Sequence, residues 1–120
     1  MDTPVLSVFD TSESRHYERH SPGMALRVFD GATGVGIGPV GNISLEGLMV
    51  FCQHDYAPGQ ALSFAMILPG FIGGSRNLSF DTHCMWCSKG EKGEFEAGFA
   101  ISEISTRNRE ILKLLTTKFC

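Results

Sequence analysis

Arg15-His-Tyr-Glu-Arg19 sets two guanidiniums on one short segment, and Asn42-Ile-Ser44-Leu-Glu-Gly47 follows with an amide, a hydroxyl and a glycine. A guanidinium presents a rigid fork of N–H donors that lysine does not reproduce. Taken singly, each segment has a plain reading: the arginines as solvated surface charge, the second segment as a turn between two apolar stretches. His16 and His20 flank the arginines and would add positive charge on protonation. No paired carboxylates, nucleophile elbow or Ser/His/Asp arrangement stands out, so the chemistry on offer is recognition and the chain is not expected to be an enzyme.

Two sharper motif matches do not survive their context. Gly36-Ile-Gly-Pro-Val-Gly41 fits the dinucleotide-binding glycine pattern, but that pattern must open a helix, and here another apolar strand follows. Cys84-Met-Trp-Cys87 fits the Cys-x-x-Cys pattern of thiol oxidoreductases and half zinc sites. Redox pairs use a helix N-terminus to lower the thiol pKa, whereas this pair lies late in a strand, with Cys84 expected on the apolar side and Cys87 away from it. Neither His54, His83, Cys52 nor Cys120 stands at ligand spacing to a second pair, so no metal is expected.

The elements that must position these residues are short and mostly extended. Apolar stretches run over 24–29, 34–43, 47–52, 62–68, 78–86 and 95–101, and six strands are the simplest reading. Every second residue is apolar in Leu62, Phe64, Met66, Leu68, in Leu78, Phe80, Thr82, Cys84, Trp86, and in Phe95, Ala97, Phe99, Ile101, the period of a half-buried strand. Pro58-Gly59, Pro69-Gly70 with Gly73-Gly74, and Lys89 to Gly93 supply turn chemistry between them. Ser105 or Thr106 can cap a closing helix to about Lys118, with Ile111, Leu112, Leu115 and Phe119 on one face. Short antiparallel strands with one apolar face favour a closed barrel, which leaves no exposed edge. Residues 1–14 read as a flexible N-terminal arm and 15–120 as one domain.

Composition narrows the partner. A net charge of -3 argues against a nucleic-acid polymer, whose binders carry a basic stripe. No apolar run approaches the roughly 18 residues of a membrane span, and the N-terminus lacks the basic start of a signal peptide, so a cytoplasmic location without membrane insertion is expected. The four cysteines are too few for a disulfide scaffold and read as reduced thiols.

Taken together, Arg15-x-x-x-Arg19 followed at a characteristic distance by Asn42-x-Ser44-x-x-Gly47 resembles the two-part signature of the PilZ domain family. Pro58-Gly-Gln60 before an apolar strand, the strand ending at Trp86, Gly98-Phe99 and the Leu-rich terminal helix are similar to that family's layout. The resemblance implies a six-stranded antiparallel β-barrel with a C-terminal helix. It further implies a bacterial receptor for the second messenger cyclic di-GMP, acting in motility or biofilm signalling through a protein partner. On that reading Arg15 and Arg19 grip guanine edges and phosphates, and Asn42, Ser44 and Gly47 line the surface where the ligand lies. Trp86 either stacks on a guanine or serves as core with its N–H at the rim. Ser14 stands where relatives that bind two stacked ligands often carry a further arginine. Beyond the ligand no cofactor is expected. A second role implied by the family is an adaptor for type IV pilus assembly that binds no nucleotide.

Overall fold

The computed structural model describes residues 26–118; the arm over 1–14, Ser14, Arg15 and Arg19 lie outside the described residues. Six strands, β1 (Arg27–Asp30), β2 (Gly36–Ile43), β3 (Gly47–Cys52), β4 (Ala61–Ile72), β5 (Ser75–Lys89) and β6 (Phe95–Glu103), precede one helix, α1 (Thr106–Lys118). They close into an antiparallel barrel in the order β1-β2-β3-β6-β5-β4. Alternation puts Phe64, Met66, Leu78, Phe80, Ala97 and Phe99 inside, each at most 5% exposed. Phe64 centres the core, its ring 4.8 Å from that of Phe99 and 6.3 Å from that of Phe80. Burying such a side chain stabilises by about 1.5–3 kcal/mol relative to leaving it in water.

Of the two candidate caps, Ser105 takes the role: its Oγ accepts from the Asn108 amide at 3.0 Å. Ile111, Leu112 and Leu115 are buried as their spacing requires. The helix is pinned to β5 by Asn108 Nδ2 donating to Ser79 O at 3.0 Å and to the β4–β5 turn by Arg107 donating to Gly73 O at 3.4 Å. Among the described residues no helix is long and apolar enough to cross a membrane.

One expected turn is displaced. Pro69-Gly70 does not end its strand; β4 continues to Ile72, and the chain reverses at Gly73-Gly74, where φ is +59° and +81°. Those are the positive angles a two-residue hairpin turn demands. Pro69, which has no N–H to give, falls where the β4–β5 register slips between Ile67 and Ile72. The long hairpin that results is what α1 packs against.

Two further register slips decide which residues face outward. In β2 the pairing with β3 slips between Val40 and Asn42, at Gly41. In β5 the pairing with β6 slips between Cys84 and Trp86, at Met85. Each is a β-bulge, which leaves one residue unpaired and changes the phase of the strand beyond it.

Candidate functional site

The bulge at Met85 overturns the simple alternation of β5. Without it Trp86 would follow Phe80 and Cys84 into the barrel and Cys87 would point out. Instead Trp86 pairs with Gly98 and Cys87 with Ala97, so the indole joins the outer face and the Cys87 thiol packs against the core. The bulge at Gly41 likewise sets Asn42 opposite Met49, on the outer face. A single cross-strand row therefore runs Asn42, Met49, Gly98, Trp86 over β2, β3, β6 and β5. The next outer row toward the β2–β3 turn is Gly47, Ala100, His83. Ala100 at its centre and Gly98 in the first row carry little or no side chain, which makes a shallow floor on which the side chains of Met49 and Trp86 lie down.

Two polar atoms on this floor, Asn42 Oδ1 and Trp86 Nε1, are buried without a hydrogen-bond partner among the described residues. Both belong to half-buried residues at opposite ends of one row. An unmade hydrogen bond of this kind costs about 1–3 kcal/mol.

Ser44 and Gly47 build the turn beside the floor. Ser44 is only 2% exposed. Its amide donates to Gly47 O at 2.8 Å, its hydroxyl donates to the same oxygen at 3.4 Å, and its Oγ accepts from the Glu46 amide at 3.1 Å. Gly47 has no positive φ; its requirement is space, because a Cβ there would run into the carbonyl oxygen of Phe99 and lie 3.1 Å from Ala100 Cα. Absence of a side chain thus serves the β3–β6 pairing itself. Asn42, Ser44, Gly47 and Trp86 are brought to one region; Ser14, Arg15 and Arg19 belong to the residues outside the description.

Cys52, Cys84 and Cys87 occupy the other side of the same sheet. Burial, with the neighbouring Cys87 next in weight, pushes the Cys84 thiol up to about 12, and burial pushes Cys52 up to about 11. Cys87 is raised too, chiefly by burial. Thiols held protonated in this way are poor nucleophiles. Among the described residues no three His, Cys, Asp or Glu side chains are placed to hold a metal ion. The Gly36 to Gly41 segment lies inside β2, with no helix after it.

Met49 and Gly98 are residues of the floor that the sequence did not single out as site residues. A glycine inside a strand pattern signals a bulge or a close approach, and Gly41 and Gly98 are one of each. Grooves of about 400 and 530 Å³ lie elsewhere, along β1, β4 and β5, and contain no residue of either motif. The site is a surface to lie on, not a hole to enter.

The comparisons with known proteins agree with this architecture. The PilZ domain model matches residues 13–118, and the chain belongs to the PilZ domain family. No curated protein sequence matches it. Among solved structures, the PilZ domain of YcgR from Escherichia coli with c-di-GMP superposes with a TM-score of 0.68 at 13% identity, covering 88% of this chain and 91% of that one. The Bacillus subtilis inhibitor of motility MotI/DgrA gives a TM-score of 0.67 at 19% identity over 87% of this chain. YcgR in complex with c-di-GMP from Escherichia coli gives 0.60 at 16% identity over 83%. This chain spans only 48% of the MotI chain and 43% of that YcgR chain.

Proposed function

We propose that the chain is a cyclic di-GMP receptor whose ligand lies across the outer-face floor between Asn42 and Trp86, beside the Ser44 to Gly47 turn. The observation that carries this is the row itself: Asn42 of the second motif and Trp86 at the end of β5, from distant strands, face outward together on one surface beside the Ser44 to Gly47 turn. Arg15 and Arg19 close over the ligand from the other side. Each guanidinium gives paired hydrogen bonds to guanine O6 and N7 or to a phosphate. Asn42 contributes an acceptor and two donors at the floor's edge, while Ser44 and Gly47 hold the turn to the shape the ligand needs. Trp86 offers a ring face for a base, worth about 1–3 kcal/mol. Ser14, in place of a further arginine, favours one ligand over a stacked pair.

The protein acts by binding, not catalysis. Ligand capture draws the segment carrying Arg15 and Arg19 against the turn, and the newly ordered surface engages or releases a protein partner, with the motility apparatus the first class to test. Amide hydrogen exchange measures this step: protection is expected to rise most over residues 14–21 and near Ser44 on adding ligand, with α1 unchanged. Equal protection with and without saturating ligand would sink the relay. Isothermal titration with cyclic di-GMP tests the receptor itself. Saturable binding that is lost in Arg15→Ala and Arg19→Ala is the expected result; no binding by the wild-type chain would favour the pilus-adaptor role.

A further inference from the structure

We infer that Gly98 is a positioning residue of this site: it seats the indole of Trp86 so that the ring forms one wall of the floor. The inference rests on the reading that a guanine base is received here. Gly98 lies inside β6, where glycine weakens a strand, and its φ is not positive. Conformation therefore does not explain it. Space does. A Cβ at this position would lie 2.6 Å from Trp86 Cε2 and 3.0 Å from Cδ1, with Nε1 closer still. An indole cannot yield by bending its tip, so any side chain at residue 98 drives the ring into another rotamer.

The neighbouring Met49 leaves that seat to the indole alone. Its thioether leans the opposite way, over Gly41, where a Cβ would come 2.9 Å from Met49 Sδ and 2.9 Å from Phe51 Cε2. Gly41 and Gly98 thus make two shallow seats on either side of the Met49 position, one holding a thioether and one an indole. In its seat the indole buries its N–H with no acceptor among the described residues, so it is shape, and not a hydrogen bond from those residues, that holds the ring over Gly98.

The test uses the full chain, whose single tryptophan makes fluorescence report on this position alone. In ligand-free Gly98→Ala the emission should shift to the red and acrylamide quenching should rise, with far-UV circular dichroism unchanged. Affinity for cyclic di-GMP should fall about tenfold. Because Gly98 acts through the ring, Trp86→Ala with Gly98→Ala should bind no more weakly than Trp86→Ala alone. Unchanged emission in Gly98→Ala, or a further loss of affinity in the double variant, overturns the inference. Failure of the wild-type chain to bind cyclic di-GMP would sink the ligand reading instead, while the emission and quenching comparison still decides whether Gly98 seats the ring.

Discussion

The turn joining β2 to β3 and the turn joining β4 to β5 both depend on glycine, for opposite reasons. Gly73 and Gly74 are needed for their angles: both have positive φ, and the hairpin they close lies against α1, with the Cβ position of Gly73 3.3 Å from Ile111 Cγ1. Gly47 has ordinary angles and is needed for room, because β6 passes where its side chain would be. The β4–β5 turn is scaffold, lying against the helix. The β2–β3 turn adjoins the proposed ligand floor. If that division is right, changes on the β2–β3 side should reach binding, and changes at the β4–β5 tip should reach stability alone.

The largest effect should come from Arg19→Ala, which is expected to weaken cyclic di-GMP binding about a hundredfold, roughly 2.7 kcal/mol by titration calorimetry. The thermal midpoint without ligand should stay put, and Arg19→Lys should rescue little, since the charge returns without the fork. Gly47→Val comes next, at about 2–4 kcal/mol of stability by urea unfolding, because the obstructing atom is backbone and cannot step aside. A mild Gly47→Val phenotype would mean that β3 and β6 can part, and the contrast between the turns would fail. Gly73→Ala should cost about 1–2 kcal/mol through its left-handed angle while leaving affinity untouched.

Smaller effects fall on the thiols. A thiol raised in the folded state stays neutral there after its unfolded counterpart has ionised, so the unfolded chain binds fewer protons and stability falls as pH rises. Starting from an ordinary value of 9.0, Cys84 and Cys52 place that loss above pH 9 and toward 11 to 12. Thermal midpoints should be level in this respect from pH 6 to 8 and fall above 9, less steeply in Cys84→Ala. The smallest change is expected for Cys87→Ser, under about 1 kcal/mol in stability with normal ligand affinity. Loss of binding there would show that the inner face of β5 is coupled to the floor.

Much of this architecture was legible because barrel strands write their burial into the sequence. Leu62 to Leu68 and Phe95 to Ile101 alternate cleanly, and all six strands and the helix fall where that pattern places them. The readings of Trp86 and Cys87 fail for one cause. A bulge adds a residue without any composition of its own, so nothing in Cys84-Met-Trp-Cys87 announces that Met85 is skipped by the ladder. Trp86 was accordingly balanced between core and ligand roles, and Cys87 was sent outward, on a phase the strand abandons. Pro69-Gly70 misled differently: a strong turn dipeptide was absorbed into an irregular strand because Gly73-Gly74 made the tighter reversal. For the floor, the motif located Asn42 and Gly47, but the partnership of Gly98 with Trp86 is a tertiary fact with no local signature.

The skipped residue at Met85 also bears on how such chains are compared with one another. Aligning β5 with a relative by inward and outward alternation alone would be correct up to Cys84 and out of step by one after it, matching Trp86 to core positions and Cys87 to surface ones. A relative lacking the extra residue needs a one-position gap at this point, and only the segment beyond that gap says whether it keeps an aromatic ring over its own Gly98 equivalent. Loss of Met85 itself would leave Cys84, Trp86 and Cys87 in regular alternation, with the indole still on the outer face and the thiol still inside, so the extra residue can come and go without exchanging the two faces.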